Sequence, residues 1–361
     1  MRRFILTLLF FVVSSSGLQA SDSLLRPALM SQQVTQSLLL DITQAGDRLV
    51  AVGERGHIVF RDPGQSWQQA QVPVIAHLTA VTFATPSLGF AVGHDGIILR
   101  SEDAGQTWTL VHHELKAAPE RAMALIPEIE EALAQAEEAG DLMDIEWLEM
   151  ELDDLYFAAE GDEVPPLLAV AFIDDQTGFA VGGYNLLLMT EDAGLTWQSV
   201  QDELPNPEML HNNALLVHPQ QVLLIAGERG SLYRSEDQGA YWEKIDLPYD
   251  GSLFGLFTSP NGDLFATGLR GHLLHSADLG LSWQILDSGA EQTLNAGLAL
   301  ASGELMVVGQ NGQLLIGQED QWQSHTLPGR YSLLALAEQD GELIGVGRGG
   351  IHPLPQLISQ P

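Results

Sequence analysis

A phrase that returns seven times at a spacing of about 40 residues, four short strand-like runs in each copy, and turn residues between those runs predict an all-β fold, a seven-bladed β-propeller. A long acidic stretch between the second and third copies predicts one departure, an α-helical hairpin inserted between blades 2 and 3.

The phrase is clearest in the second copy. Ala91-Val92-Gly93 is followed by His94-Asp95-Gly96-Ile97-Ile98-Leu99-Arg100-Ser101 and then by Glu102-Asp103-Ala104-Gly105-Gln106-Thr107-Trp108. The anchor glycines of the seven copies are Gly53, Gly93, Gly182, Gly227, Gly268, Gly309 and Gly347, at spacings of 40, 89, 45, 41, 41 and 38. The outlying spacing is one repeat plus the insertion. Strands are predicted over 78–83, 89–92, 96–100 and 107–111 in this copy. The runs are apolar on both faces, as stacked blades require. The seventh copy has no fourth run, because the chain enters Pro353 and Pro355. The stretch 28–37 is expected to supply that outer strand and close the ring, which leaves no open sheet edge.

Residues 1–20 read as a signal peptide. Arg2 and Arg3 precede a short apolar run over 4–13 and a small, polar exit over 14–20, with cleavage expected after Ala20. No later run approaches the ~18 apolar residues of a spanning helix, so a soluble periplasmic protein with no direct membrane insertion after cleavage is expected. The propeller then occupies 21–361, with the hairpin at 113–165. The chain has no cysteine, which excludes disulfides, thiol nucleophiles and thiolate metal sites. A formal net charge of −33 disfavours nucleic acid and anionic lipid as partners.

Ser-x-Asp-x-Gly-x-x-Trp occurs at 101–108, 235–242 and 276–283, and with Thr190 in place of Ser at 190–197. In the first copy Asp62, Gly64 and Trp67 remain, but Phe60 stands where the hydroxyl belongs. This is the Asp-box, or BNR, hairpin. Its carboxylate can accept backbone N–H groups across the turn, its Gly supplies a positive φ, and its Trp packs between blades. Asp62, Asp103, Asp192, Asp237 and Asp278 are therefore read as structural.

Lys and Arg together number only 15, so their placement is informative. Arg55, Arg229 and Arg270 each stand two residues after an anchor glycine, and Arg348 stands one after Gly347. Asp95, Tyr184 and Asn311 hold the equivalent turns of the other blades. Equivalent turns share one face of a propeller, so an arc of guanidinium groups is expected there, with Tyr184 beside it. His57 and His272 match each other through the repeat, and His112 and His113 are expected to be exposed. No His/Asp/Glu cluster has ligand spacing, and neither metal nor cofactor is expected.

In the insertion, Ala122, Leu125, Ile129, Ala132 and Ala136 recur at helical spacing over 120–138. Ile145, Leu148, Leu152, Leu155 and Ala159 do so over 141–159. Gly140 breaks the two helices, Asp141 caps the second, and Pro127 is expected to kink or start the first. The connection emerges on the face of the arginine turns, so the acidic hairpin should project from there and either meet a partner or shield the arginines.

The runs Leu-x-Ala-Val-x-Phe (78–83), Gly-Phe-Ala-Val-Gly (89–93), Gly-x-Ile-x-Arg-Ser (96–101) and Glu-Asp-x-Gly-x-Thr-Trp (102–108) resemble those of the photosystem II stability/assembly factor-like propellers, a BNR-repeat family. The resemblance covers nearly the whole chain after residue 20 except the hairpin. It implies a seven-bladed, non-enzymatic scaffold that binds membrane-protein subunits through an arginine patch, here Arg55, Arg229, Arg270 and Arg348. The resemblance extends to members from non-photosynthetic bacteria, whose association is with exported accessory proteins of envelope complexes, RND-type transporters among them. The hairpin departs from the photosynthetic pattern and points to a different membrane partner. The expected function is an exported scaffold or assembly factor for an inner-membrane protein complex, with no catalytic residue. The alternative is a sialidase-like glycoside hydrolase. That chemistry needs an arginine cluster, a Tyr nucleophile with a Glu partner and an acid/base carboxylate. The repeat places no Tyr/Glu pair at the ring's centre, and Tyr184 sits in a turn.

Overall fold

The computed structural model describes residues 26–161, 164–318 and 321–354. The expected signal segment lies outside them. Seven antiparallel sheets follow one another along the chain, each with its strands in sequence order. Six have four strands, and the seventh has three among the described residues. Blade 2 shows how closely the repeat encodes the sheet, with strands at Leu78–Phe83, Gly89–Gly93, Ile98–Ser101 and Thr109–His112. The first strands of neighbouring blades contact one another all round the ring.

The second strands explain the two-faced apolar pattern. Gly89–Gly93, Gly178–Gly182, Leu223–Gly227, Leu264–Gly268 and Leu305–Gly309 are buried at every residue, because each is covered by a blade on both sides. The core is accordingly divided into interfaces between blades. Val50, Ile58 and Phe60 of blade 1 pack with Leu78, Ile97, Leu99 and Trp108 of blade 2. Trp197, Trp242 and Trp283 likewise pack back onto the preceding blade, edge-on to Phe90 and Phe179 in the first two cases. Removing such a tryptophan costs about 3–5 kcal/mol.

The expected donation of a strand by 28–37 is not found. Instead Ala28 donates to Val72 O and Ser31 donates to Gln69 Oε1, so this stretch runs along blade 1. It then forms a short 3-10 turn at Val34–Gln36 whose Val34 caps the interface of blades 7 and 1. The ring closes through side chains. Leu39, Ile42, Leu49 and Val59 meet Ala335, Ala337, Ile344 and Val346. Arg61 donates to Gln339 Oε1, and Gln339 Nε2 donates to Asp47 O. The third strand of blade 7 bends toward the 3-10 turn, and Gly350 there (φ +91°) lies so close to Thr35 O that a Cβ would sit 1.9 Å from it.

The insertion is a hairpin of two helices, α1 (Glu114–Ala139) and α2 (Leu142–Glu160). Helix α1 starts six residues before the apolar spacing indicated and runs through Pro119 and Pro127. Its early start has a physical cause. Glu114 is buried against Gly96, and its carboxylate accepts hydrogen bonds from Arg121 and His112. Gly140 closes α1 in the left-handed conformation (φ +71°), and Asp141 caps α2 by accepting from Met143 N and Asp144 N. The packed face of α1 is Ala122, Ile126, Ile129, Leu133 and Ala136, while Leu125 points outward. Spacings of 3 and 4 fit both sets, and contact with α2 selects one. Among the described residues no helix is long and apolar enough to cross a membrane.

Candidate functional site

The turn between the second and third strands has the same shape in six blades. A non-glycine residue sits in the left-handed region and a second left-handed residue, Gly in five blades and Asn185 in blade 3, follows it: Arg55 (φ +57°), Asp95 (+61°), Tyr184 (+50°), Arg229 (+53°), Arg270 (+54°) and Asn311 (+55°). Asn and Asp tolerate that region, whereas Arg and Tyr occupy it at a cost of order 1–3 kcal/mol. The backbone then fastens the turn to the loop that enters the next blade. Gly56 donates to Ala76 O, Gly230 donates to Gly251 O, and Leu327 donates to Gly312 O. Arg348 lies in the shorter turn of blade 7 and donates its own N–H to Ser332 O.

Arg55, Arg229, Arg270 and Arg348 are all exposed and lie on one face of the ring. Arg229 is paired with Glu208. The guanidinium groups of Arg55, Arg270 and Arg348 have no ion-pair or hydrogen-bond partner among the described residues. Blades 4, 5, 7 and 1 carry the four, so the arc is continuous except at Asn311. The hairpin rises in the gap, between blades 2 and 3. It does not shield the arginines: among the described residues no ion pair joins its carboxylates to them.

Four ring pairs accompany the arginines, and single-motif reading missed them. Tyr184 packs edge-on against His211 at 4.7 Å, Tyr249 lies 4.5 Å from His272, Tyr331 lies 4.4 Å from His352, and His77 lies 5.5 Å from His94. A signal existed in the repeat, since His77 and His211 each immediately precede the first strand of a blade. Tyr184, 61 % exposed, presents its ring beside the arc. His57 does not join them. It is buried, hydrogen-bonded to Ser37 Oγ, and burial pulls its pKa down. His112 and His113 are not exposed as expected. His112 is held by Glu114 at 2.7 Å and His113 is half-buried, because the early start of α1 folds both beneath the hairpin. Burial raises the pKa of Glu114, but hydrogen bonds from His112 and Arg121 outweigh it and hold that pKa low.

The opposite face carries the Asp-boxes. Asp103 accepts from Thr107 N, Gln106 N and Ser101 Oγ, and Gly105 donates to Ser101 Oγ. Asp192, Asp237 and Asp278 repeat the arrangement with Thr196, Tyr241 and Ser282. Asp62 does not. With Phe60 in place of the hydroxyl, its carboxylate is taken by Arg48 at 2.7 Å, which holds its pKa below the usual range. Arginine does further structural work here. Arg48 donates to Ala104 O, Arg100 to Ala193 O and Arg234 to Leu279 O, each reaching the box of the next blade.

One carboxylate stands apart from both faces. Asp41 occupies a first-strand position held by Ala80, Ala169, Ala214, Gly255, Ala296 and Ala335 in the other blades. It accepts from Val81 N of blade 2 and from Ile42 N. Burial among the inner strands outweighs those bonds and raises its pKa to about 6. Among the described residues no group of three or more potential ligands could hold a metal ion.

These features define a BNR-repeat propeller with one stapled face and one face of exposed arginines. A family model described as photosynthesis system II assembly factor YCF48 matches residues 158–255, which hold blades 3 and 4. That stretch, and not the chain as a whole, carries the match to the family. Among solved structures it is similar to a YCF48 bound to a D1 peptide, at 16 % identity and a TM-score of 0.61, covering 88 % of this chain and 91 % of that one. It is also similar to YCF48 from Cyanidioschyzon merolae, at 13 % identity and a TM-score of 0.61, covering 90 % and 97 %. The WD40 β-propeller domain of Doa1 aligns at 12 % identity and a TM-score of 0.60, covering 93 % and 98 %. At such identities the likeness is one of fold. No curated protein sequence matches.

Proposed function

We propose that this chain is a periplasmic, non-enzymatic scaffold that assists a membrane protein complex, an RND-type transporter in the sharpest form of the proposal. The arginine face and the hairpin carry the contact. One observation supports this above others: Arg55, Arg229 and Arg270 are kept exposed in a backbone conformation that disfavours them, on a protein poor in basic residues. Strain of that kind persists where a side chain is wanted at that point in space. The similar YCF48 binds a peptide, and a guanidinium arc flanked by Tyr184, Tyr249 and Tyr331 suits a peptide with carboxylates and apolar side chains. The periplasmic site follows from reading residues 1–20 as a signal peptide, and the inner-membrane client from the resemblance to propellers that assist envelope complexes.

The test is co-purification of tagged protein from detergent-solubilised membranes of the source organism. The parent chain is expected to bring down a membrane complex. Arg229→Glu with Arg270→Glu is expected to lose it while melting at the parent's temperature. Retention of the complex by that variant would sink the proposal.

A further inference from the structure

We infer that the outer face of the hairpin is a second docking surface, and that its occupant is a basic amphipathic helix of a protein partner. The inference rests on the scaffold reading for the hairpin's role, and on none of the arginines.

Helix α2 has two apolar faces where its fold needs one. Ile145, Leu148, Leu152, Leu155 and Ala159 face α1, and Leu148 and Leu152 are buried there. On the opposite side Met143 (83 % exposed), Trp147 (57 %), Met150 (59 %) and Phe157 (62 %) fall at helical spacing in one stripe. Among the described residues, packing within the chain gives those four no role. Two are aromatic anchors of the kind that dominate interfaces, and two are methionines, which adapt to a partner's shape. The stripe spans about 21 Å along the helix, enough for a partner helix of about four turns. The hairpin that carries it is preformed: Tyr156 of α2 donates to Glu130 of α1 at 2.8 Å.

Charge selects the occupant. By helical geometry, Asp154 falls within the stripe, Glu146 and Asp153 line one edge of it, and Asp144 and the half-buried Glu151 line the other. Residues 114–160 carry fifteen carboxylates against Lys116 and Arg121. Those edges repel anionic lipid and a second copy of the same stripe alike, and they attract a helix whose apolar face is bordered by Lys or Arg.

The test uses the full chain and a synthetic peptide of about 18 residues with Leu at i, i+3, i+4 and i+7 and Lys elsewhere. The controls are a scrambled peptide of the same composition and a version with Glu for Lys. Binding is followed by calorimetry and by the blue shift of Trp147 emission. The amphipathic Lys peptide is expected to bind at least roughly tenfold more tightly than the scrambled one, and the Glu peptide not at all. Trp147→Ser with Met150→Ser should weaken binding roughly tenfold or more, with helicity unchanged by circular dichroism. Glu146→Lys with Asp153→Lys should also weaken it, and should admit the Glu peptide. Arg229→Glu with Arg270→Glu should leave it unchanged, which separates this inference from the arginine-face proposal. Equal affinity for the scrambled peptide would overturn the inference. So would indifference to the stripe substitutions, a dimer dissolved by Trp147→Ser, or partition of the chain onto anionic phospholipid vesicles.

Discussion

The two faces of the ring use arginine in opposite ways. On the stapled face Arg100 and Arg234 lie between blades, with Arg234 only 2 % exposed, and each donates to a backbone carbonyl of the next blade's box. On the other face Arg55, Arg270 and Arg348 have no side-chain partner among the described residues, and Arg229 has a single exposed one. The same residue type is therefore structural or available according to its place in the repeat. The third strand aims an arginine at a neighbouring blade, and the turn before it aims an arginine at solvent. The comparison teaches that in this fold the scarcity of basic residues marks nothing until each is assigned to a face.

Substitutions can break or sharpen that contrast. The largest effect is expected on binding: Arg229→Glu with Arg270→Glu should weaken partner affinity by roughly two orders of magnitude, since each charge is inverted at a hot-spot residue type. Its melting temperature should stay with the parent's, because the exposed Arg229–Glu208 pair contributes little. The mirror image is Arg234→Ala. It should cost about 2–3 kcal/mol in urea unfolding, by leaving Leu279 O and Glu243 without their donor, and should leave partner binding intact. Asp237→Ala removes one box and should cost about 1–2 kcal/mol, again with no effect on the partner. Loss of binding in either variant, without loss of fold, would erase the division between faces.

Acid should separate the boxes from the inner ring. Hydrogen bonds hold Asp103, Asp192, Asp237 and Asp278 below the usual carboxylate range, in Asp103 and Asp278 against the opposing effect of burial. Their contribution is present above the unfolded-state pKa and is lost as the pH falls through their lowered values. Asp41 has the opposite sign. Its raised pKa means that its contribution is greatest below 3.8 and declines as the pH rises through about 6. The stability of the parent relative to Asp41→Ala should therefore increase as the pH falls from about 6 toward 3.8. Carboxyl-resonance titration should place Asp41 near 6 and the four box aspartates below their ordinary value. The smallest expected effect belongs to Arg270→Gly, which should stabilise slightly by removing a left-handed side chain, as a melting curve would show.

Much of this was legible in the sequence, because a propeller repeats its physics. The anchor glycines, the box serines and the tryptophans fall where the strands and turns require them. Sidedness followed from alternation of strand direction, so the shared face of Arg55, Arg229 and Arg270 could be read without coordinates. What escaped depended on contacts distant in sequence. Arg100 and Ala193 lie 93 residues apart, and nothing local marks their bond. Asp62 looked like a box aspartate until Arg48, on the neighbouring strand, took its carboxylate. In the hairpin, Leu125 and Ile126 fit the helical period equally well, and only the position of α2 separates them.

The joint between blades 7 and 1 is made by side chains, with Arg61, Gln339 and Asp47 bridging it, Val34 capping it, and no strand shared among the described residues. Among the described residues each sheet is thus drawn from its own contiguous stretch of chain. Ring formation then becomes a zipper with a final snap, in which blades stack in order and the last seats against the first without any segment having to be held open for it. Such a ring also has a preferred place to yield. Pulled or heated, it should part first at this seam and reclose there, with every sheet still intact.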